Sequence, residues 1–344
     1  MRKVYHIEFE KYHGAGNDFL FINYNSVKSV RNIENLKNLA RVLCNRRNGV
    51  GADGVVLFDF EKKPRRPRSK KIPDSEITKL LIFNSDGSLA ATCGNALRCL
   101  GLKLLFEKKW NGKSQLQIMR LVPKFLKHNK VRSQLTQDEH FILQDREPFA
   151  CLVQGVFKVK SSFVDVSVAM GNPVDVKATP LQADANTGTL AATTNVPVFV
   201  SLANPHWVFI SSAFQNFSKK DFVEFGKLAQ TQLRNSTQQE SVPMANIGML
   251  VPQQQNKESW DLVVYERGAG LTACCGSGAV AARVALEFLN LIPQEKEKTY
   301  FKMPGGMVAV SRTTFTSATD KQRILSGPAQ KTFTGIISIT SPFL

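Results

Sequence analysis

The sequence is short of the residues that staple small proteins or bind metals. Its 344 residues hold six cysteines, at 44, 93, 99, 151, 274 and 275, and five histidines. No C-x-x-C occurs, and the adjacent Cys274 and Cys275 make a poor start for a tetrahedral site. This argues against both a disulfide framework and a structural zinc. The expected state is reduced thiols in a cytoplasmic protein, most of them small buried hydrophobes. No run approaches the roughly 18 apolar residues of a membrane-spanning helix. The opening MRKVYHIEFEKYHG has basic residues but no apolar stretch, which predicts no secretory signal. Acids are scarce beside bases: 28 Asp and Glu face 45 Lys and Arg, a net charge of +17. A hydrophobic share of 43% is too high for charge-driven disorder. The length suits about two domains of roughly 100–200 residues each.

Such a positive balance first suggests a nucleic-acid or acidic-surface partner. Its distribution argues otherwise. Residues 61–71 read EKKPRRPRSKK, a surplus of +6, and Lys124, Lys127, Lys130 and Arg132 add +4. These two segments hold ten of the seventeen excess charges. The first has two prolines, no apolar periodicity and no aromatic residue for base stacking. It reads as a solvated loop or insert with weak, salt-sensitive affinity for polyanions. No specific nucleic-acid partner is expected, and no membrane.

Along the chain, residues 5–24 read as two short strands joined by His13-Gly14-Ala15-Gly16-Asn17-Asp18. Asn32 can cap a helix carrying Leu36, Leu39, Ala40 and Leu43 at helical spacing. Gly49-Val50-Gly51-Ala52-Asp53-Gly54 is a literal G-x-G-x-x-G, but it follows a helix and opens a strand. A dinucleotide fingerprint has the reverse order, so a Rossmann site is rejected. A strand at 79–83 leads to Asn84-Ser85-Asp86-Gly87, and Cys93-Gly94-Asn95 then opens a helix with Leu97, Leu100, Leu104 and Leu105. Strand-like stretches follow at 115–122 and 150–168. Val198 to Leu202 is a strand leading to Asn204-Pro205-His206. Ser218 can cap a helix carrying Phe222, Phe225 and Ala229. After strands at 247–251 and 260–265 come Glu266 and Arg267, and Cys275-Gly276-Ser277-Gly278 opens a helix with Val280, Val284 and Phe288. The order of the first half recurs in the second, with the two Cys-Gly steps 182 residues apart, which predicts two related α/β halves facing a shared cleft.

A thiol at a helix N-terminus meets N–H groups without intrahelical partners and the positive end of the dipole, which is expected to lower its pKa. The following glycines let backbone donors approach a ligand closely and hold a carboxylate. One such thiol could be a nucleophile. Two, one from each half, could act on opposite faces of one carbon, a thiolate removing its proton while a thiol supplies another. The duller reading of either Cys-Gly alone is a packed small residue. Their pairing weakens it.

The blocks HGAGNDF (13–19), CNRRNGVGADG (44–54), FNSDGS (83–88), CGNALRC (93–99), NPH (204–206), NIG (246–248), ERGAG (266–270), ACCGSGA (273–279), MPGG (303–306) and SGPA (326–329) occur in one order along the chain. Together they resemble the diaminopimelate epimerases, a family of cofactor-independent amino-acid epimerases. The resemblance implies an α/β (α+β) fold of two pseudo-symmetric domains, each a curved, mainly antiparallel sheet wrapped around a central helix, with the active site in the cleft between them. The expected domains are 1–157, completed by 326–344, and 158–325.

It further implies interconversion of LL- and meso-diaminopimelate for lysine and peptidoglycan synthesis, with no cofactor, no metal and a homodimeric state. Cys93 and Cys275 match the acid/base pair, and His206 and Glu266 the residues that assist them. Asn17, Asn84, Asn204, Asn246, Glu266 and Arg267 match the substrate-binding set, and Gly94, Asn95, Gly276 and Ser277 the positions that hold the reacting carboxylate. Arg267 offers a fork for a carboxylate and Glu266 an acceptor for an ammonium. Leu271 and Leu89 stand where the family has acids, and Ala96 where it has glycine. These departures bear on rate, packing and substrate breadth. The alternatives are a related racemase of another amino acid such as histidine, and a basic polyanion-binding protein on an inactive epimerase scaffold.

Overall fold

A computed structural model of the chain describes residues 4–27, 30, 32–61, 77–109, 118–120, 159–160, 163–178, 196–202, 204–236, 245–252, 259–314 and 321–340. In chain order the elements begin with β1 (Val4–Gly14), β2 (Asn17–Asn23), α1 (Tyr24–Val27), α2 (Ile33–Cys44), β3 (Gly54–Glu61), β4 (Ile77–Asn84), β5 (Leu89–Ala90), α3 (Gly94–Phe106), β6 (Ile118–Arg120), β7 (Val159–Lys160) and β8 (Phe163–Ala169). They continue with β9 (Asp175–Ala178), β10 (Val198–Ser201), β11 (Pro205–Ile210), α4 (Lys219–Ser236), β12 (Asn246–Pro252), β13 (Ser259–Glu266), β14 (Gly270–Leu271), α5 (Gly276–Phe288), β15 (Lys298–Met303), β16 (Gly306–Thr314) and β17 (Lys321–Thr340). Most of the basic insert, 62–71, the cluster at 124–132 and Cys151 lie outside the described residues. The fold class is mixed α/β. The chain divides into two compact units, one of Met1–Gly14, Asp18–Ser167 and Ala329–Leu344, the other of Ala15–Asn17 and Val168–Pro328.

In the first unit β2 runs parallel to β3, β3 antiparallel to β4, and β4 antiparallel to β5 and parallel to β6. The C-terminal part of β17 lies antiparallel to β1. Strand alternation sends Leu20, Ile22, Val55, Leu57, Leu81 and Phe83 to one face, where they form a core with Ile33, Leu36, Leu39, Ala40 and Leu43 of α2. Each such side chain contributes roughly 1.5–3 kcal/mol on burial. Asn32 caps α2 by accepting the Glu34 N–H at 2.8 Å. The opposite face meets α3, whose residues 94–104 are buried on every side. The Leu97–Leu100–Leu104 stripe therefore understates this helix, which lies inside the unit and carries Arg98 and Lys103 with it.

The glycine-rich loop after α2 ends that helix. Gly49 N–H donates to Asn45 O, Val50 and Gly51 N–H to Leu43 O, and Ala52 N–H to Cys44 O. These amides are taken up by the orphan carbonyls of the last helical turn. The loop then feeds β3, so the helix precedes it and the strand follows.

The second unit repeats the plan. β11 is parallel to β12, β12 antiparallel to β13, and β13 antiparallel to β14 and parallel to β15. β9, β10 and β11 are antiparallel neighbours, and β16 pairs with β15 and with the start of β17. Trp207, Phe209, Ile247, Met249 and Val251 face Phe225, Ala229 and Leu233 of α4. Ser218 and Asp221 form a reciprocal cap before that helix. α5, buried from Gly276 to Glu287, touches β10, β11, β12 and β16, so the sheet curves around it. Among the described residues no helix is long and apolar enough to cross a membrane.

The buried Lys103 ammonium pairs with Glu10 and, at 2.5 Å, with Glu107, and lies 4.7 Å from the Phe58 ring centroid. Burial alone would raise the Glu10 pKa, but hydrogen bonds from Lys103, Lys331 and Tyr12 outweigh it and hold the carboxyl at about 2. As pH falls, the unfolded chain takes up this proton first. The stabilisation present above the ordinary value of 4.5 is therefore lost between there and about 2. The urea midpoint is expected to fall through this window, with a shallower fall in Lys103→Met. Equal pH dependence in the two proteins would contradict the assignment.

Candidate active site

In the first unit β4 ends at Asn84, whose N–H donates to Ser88 O and whose Nδ2 donates to Ser88 Oγ at 2.9 Å. The Ser88 hydroxyl donates in turn to Asp86 Oδ1. This tight hairpin delivers the chain to Cys93, which is extended (φ −147°, ψ 109°), half-buried, and the N-cap of α3 without a side-chain capping bond. Two residues on, Asn95 is buried and its Oδ1 accepts from Arg98 Nη2 at 2.6 Å.

In the second unit Cys275 is the N-cap of α5, extended (φ −117°, ψ 105°) and likewise without a capping bond. Its Sγ lies 3.6 Å from Ser277 Oγ, and that hydroxyl is 2.9 Å from His206 Nε2. His206 stands opposite Asn246 in the β11–β12 ladder. Asn246 Oδ1 accepts the Arg267 N–H at 2.9 Å, and Glu266 Oε1 accepts Thr272 Oγ1–H at 2.5 Å. Gly278 is needed for close approach, since a Cβ there would stand 2.8 Å from Val264 Cγ2 and 3.3 Å from Cys275 Sγ. The Ala15–Asn17 turn docks in this unit, with a Cβ on Gly305 falling 1.9 Å from Ala15 O. Asn17 is buried at the end of that turn, while Asn204 is half-buried two residues before His206.

The two units place these residues at equivalent register. β4 and β13 each have eight residues and α3 and α5 thirteen. Asn84 and Glu266, Leu89 and Leu271, and Asn95 and Ser277 are each separated by 182 residues, as Cys93 and Cys275 are. Phe19 pairs with Gly54 at the start of one parallel ladder and His206 with Asn246 at the start of the other, so Asn17 and Asn204 correspond. The halves differ in what holds the second helical residue: Arg98 in one, His206 in the other.

The two leucines that stand where the resemblance implies acids occupy one equivalent place. Leu89 is opposite Phe83 and buried in the first core. Leu271 is opposite Tyr265 and packs on the aromatic cluster under α4. Both substitutions thus extend a core.

The expectation of a depressed thiol pKa fails at Cys275. Burial pushes it well above the ordinary 9.0, the Glu266 carboxylate adds to this, and the Ser277 hydroxyl and Gly278 amide pull the other way without prevailing. Cys275 is a thiol before any ligand arrives. Burial also drives His206 down to about 3, so it is neutral near pH 7. Cys44, Cys93, Cys99, Cys274 and Cys275 form no disulfide, and all but Cys93 are buried. Among the described residues no three His, Cys, Asp or Glu side chains cluster as metal ligands would.

Sequence reasoning missed two supports. Arg98 lies three residues after Asn95, a spacing that puts the two on one helical face. Asp18, beside Asn17, is tied at 2.9 Å to Lys11 and at 2.7 Å to Arg46, which also holds Asp53. That knot ties β1 and the start of β2 to the loop after α2.

Similarity to known proteins follows the same frame. The sequence model of the diaminopimelate epimerase family matches residues 9–118. The diaminopimelate epimerase of Carboxydothermus hydrogenoformans is 29% identical over 347 residues, covering 96% of this chain and 98% of its own. That of Methanococcus maripaludis is 28% identical over 355 residues, covering 97% and 100%. Among solved structures, a hydroxyproline epimerase from Agrobacterium vitis with bound trans-4-OH-L-proline gives a TM-score of 0.59 at 12% identity, covering 99% of this chain and 93% of its own. A PhzF-family phenazine biosynthesis protein from Bacillus anthracis gives 0.60 at 10% identity, covering 97% and 99%. At those identities the likeness is one of fold. By the matched segment and by relatives aligned over nearly its full length, the chain is similar to the diaminopimelate epimerases, a family of isomerases.

Proposed function

We propose that the protein interconverts LL-2,6-diaminopimelate and meso-diaminopimelate by two-base proton transfer at one α-carbon, in the cytoplasmic synthesis of lysine and peptidoglycan. The observation that carries this reading is the pair of thiols, each the N-cap of an equivalent thirteen-residue buried helix.

The reaction breaks a C–H bond on one face of the α-carbon and forms another on the opposite face. The electron pair left by the departing proton is delocalised into the adjacent carboxylate. First-turn N–H groups at Gly94, Asn95, Gly276 and Ser277 are the donors that would stabilise it. One of Cys93 and Cys275 takes the proton as thiolate and the other gives its thiol proton, so one turnover exchanges their states and the reverse reaction restores them. Cys275, kept protonated by burial, suits the donor role in the resting protein. His206, neutral, and Ser277 orient its sulfur. For the second amino-acid head, Arg267 offers a carboxylate fork and Glu266 an ammonium acceptor. Asn17, Asn84, Asn204 and Asn246 can donate to one group and accept from the other.

The test is incubation of the purified protein with LL-diaminopimelate, L-histidine and L-lysine in parallel, read by chiral chromatography without added cofactor. Conversion of LL- to meso-diaminopimelate alone is expected. Racemisation of histidine with diaminopimelate untouched would transfer the reading to the related racemase. No turnover, with salt-dependent retention on a polyanion that deletion of 62–71 removes, would favour a binding protein.

A further inference from the structure

Four of the eight buried side-chain polar atoms with no hydrogen-bond partner among the described residues belong to one patch of the second unit: Thr299 Oγ1, Arg312 Nε, and Arg323 Nε and Nη1. The ladder registers bring them together. Thr299 on β15 stands opposite Val310 on β16, which stands opposite Leu325 on β17. Two residues along, Arg312 stands opposite Arg323. Strand alternation puts these side chains on one face. It is the face toward α5, because Arg323 Nη2 donates to Glu287 Oε2 on that helix at 2.5 Å.

Two arginines directly opposite one another in an antiparallel pair repel. Among the described residues, the one carboxylate engaged with them is already shared. Glu287 Oε1 accepts from Arg283 Nε at 2.9 Å, and the other Arg283 donors go to the carbonyls of Lys296, Glu297 and Val310. Glu297, one residue before β15, is exposed and makes no ion pair among the described residues. Among the described residues, three guanidiniums thus face a single carboxylate, a surplus of two positive charges. The Arg323 side chain is only 8% exposed, so water does little to screen that surplus. Burial lowers the Arg323 pKa. Glu287 opposes this, and Arg312 and Arg283 add to it. An orphaned buried donor costs about 1–3 kcal/mol, and more when charged.

We propose that Thr299, Arg312 and Arg323 bind a phosphate-class oxyanion, inorganic phosphate or the phosphate group of a monoester, beside the C-terminal half of α5. A dianion matches the surplus of two charges. Four donors from three side chains suit its several oxygens better than the two of a carboxylate. Arg312 is half-buried, while Thr299 and Arg323 are buried. None of the three residues belongs to the epimerase set, so this site stands or falls independently of the reaction proposed above.

The probe is potassium phosphate, titrated into the wild-type protein at constant pH, with potassium chloride balancing ionic strength. The readouts are Tm and the linewidth of the phosphate ³¹P resonance. A saturable rise of about 3 °C at tenfold excess over the dissociation constant is expected, together with ³¹P broadening. Arg312→Gln should abolish both. Thr299→Val, which keeps the shape and removes the hydroxyl, should weaken both and serves if Arg312→Gln fails to fold. Phenyl phosphate run alongside distinguishes the two sources, and a response to either supports the site. A rise matched by chloride, or one that both variants retain, overturns it.

Discussion

Replacing Cys93 or Cys275 by serine is expected to lower epimerisation by about 10²–10⁴-fold while the fold survives or gains stability. A serine hydroxyl is a far weaker acid than a thiol, so it neither takes the α-proton as an anion near neutral pH nor returns one readily. The structural effect runs the other way. Both cysteines are N-caps with extended backbone and no side-chain capping bond. Serine is among the best N-cap residues, and a formed cap contributes about 0.5–2 kcal/mol. Activity and stability should therefore move in opposite directions. Urea denaturation beside a chiral assay reads both, and near-normal turnover in either variant would contradict the two-thiol account. The variants need not be equal, because Cys275 is the more buried and has Ser277 and His206 beside it.

The largest stability effect is expected at Glu287. Its carboxylate, 6% exposed, holds the fully buried Arg283 on one oxygen and Arg323 on the other. Glu287→Leu fits a helix interior and removes the one negative charge there among the described residues, leaving Arg283 and Arg323 without their carboxylate. Breaking a buried pair from one side costs about 3–5 kcal/mol. The urea midpoint should fall accordingly. Glu287→Gln, which keeps an acceptor for one guanidinium, should lose less. If Glu287→Leu proves neutral, these charges are solvated and the buried cluster is not holding α5 in place.

Much of this framework was legible in the sequence. Period-3.6 spacing placed α2, and Asn32 marked its start where the capping bond forms. The order helix–glycine loop–strand excluded a dinucleotide site, and the hydrogen bonds of that loop to the end of α2 explain why. The Cys-Gly steps located both central helices. Their surroundings were not legible. Apolar stripes predict one buried face, yet α3 is buried all round from Gly94 to Leu104 and α5 from Gly276 to Glu287, while the stripe residue Phe288 is exposed. Such a helix can carry Arg98, Lys103, Arg283 and Glu287 only if each finds a partner; Asn95, Glu107 and the Arg283–Glu287 pair are local, but Glu10 and Arg323 are distant in sequence. The thiol pKa went the same way. Helix position predicts a lowered value, but the burial that reverses it at Cys275 depends on long-range packing. Leu89 and Leu271 look like two unrelated losses of an acid. The ladder registers show them to be one position used twice, each filling the core beneath its own hairpin.

The central claim is that two thiols work on opposite faces of one carbon. Its most direct test is LL-diaminopimelate in deuterated water, with deuterium followed at the α-carbon of product and recovered substrate during initial turnover. A thiol that has exchanged with solvent delivers deuterium on the face opposite the one that lost hydrogen. The account predicts meso-diaminopimelate carrying deuterium at its inverted centre while recovered LL-substrate stays nearly unlabelled. Equal labelling of both would mean a single base returning protons to either face, and would contradict it.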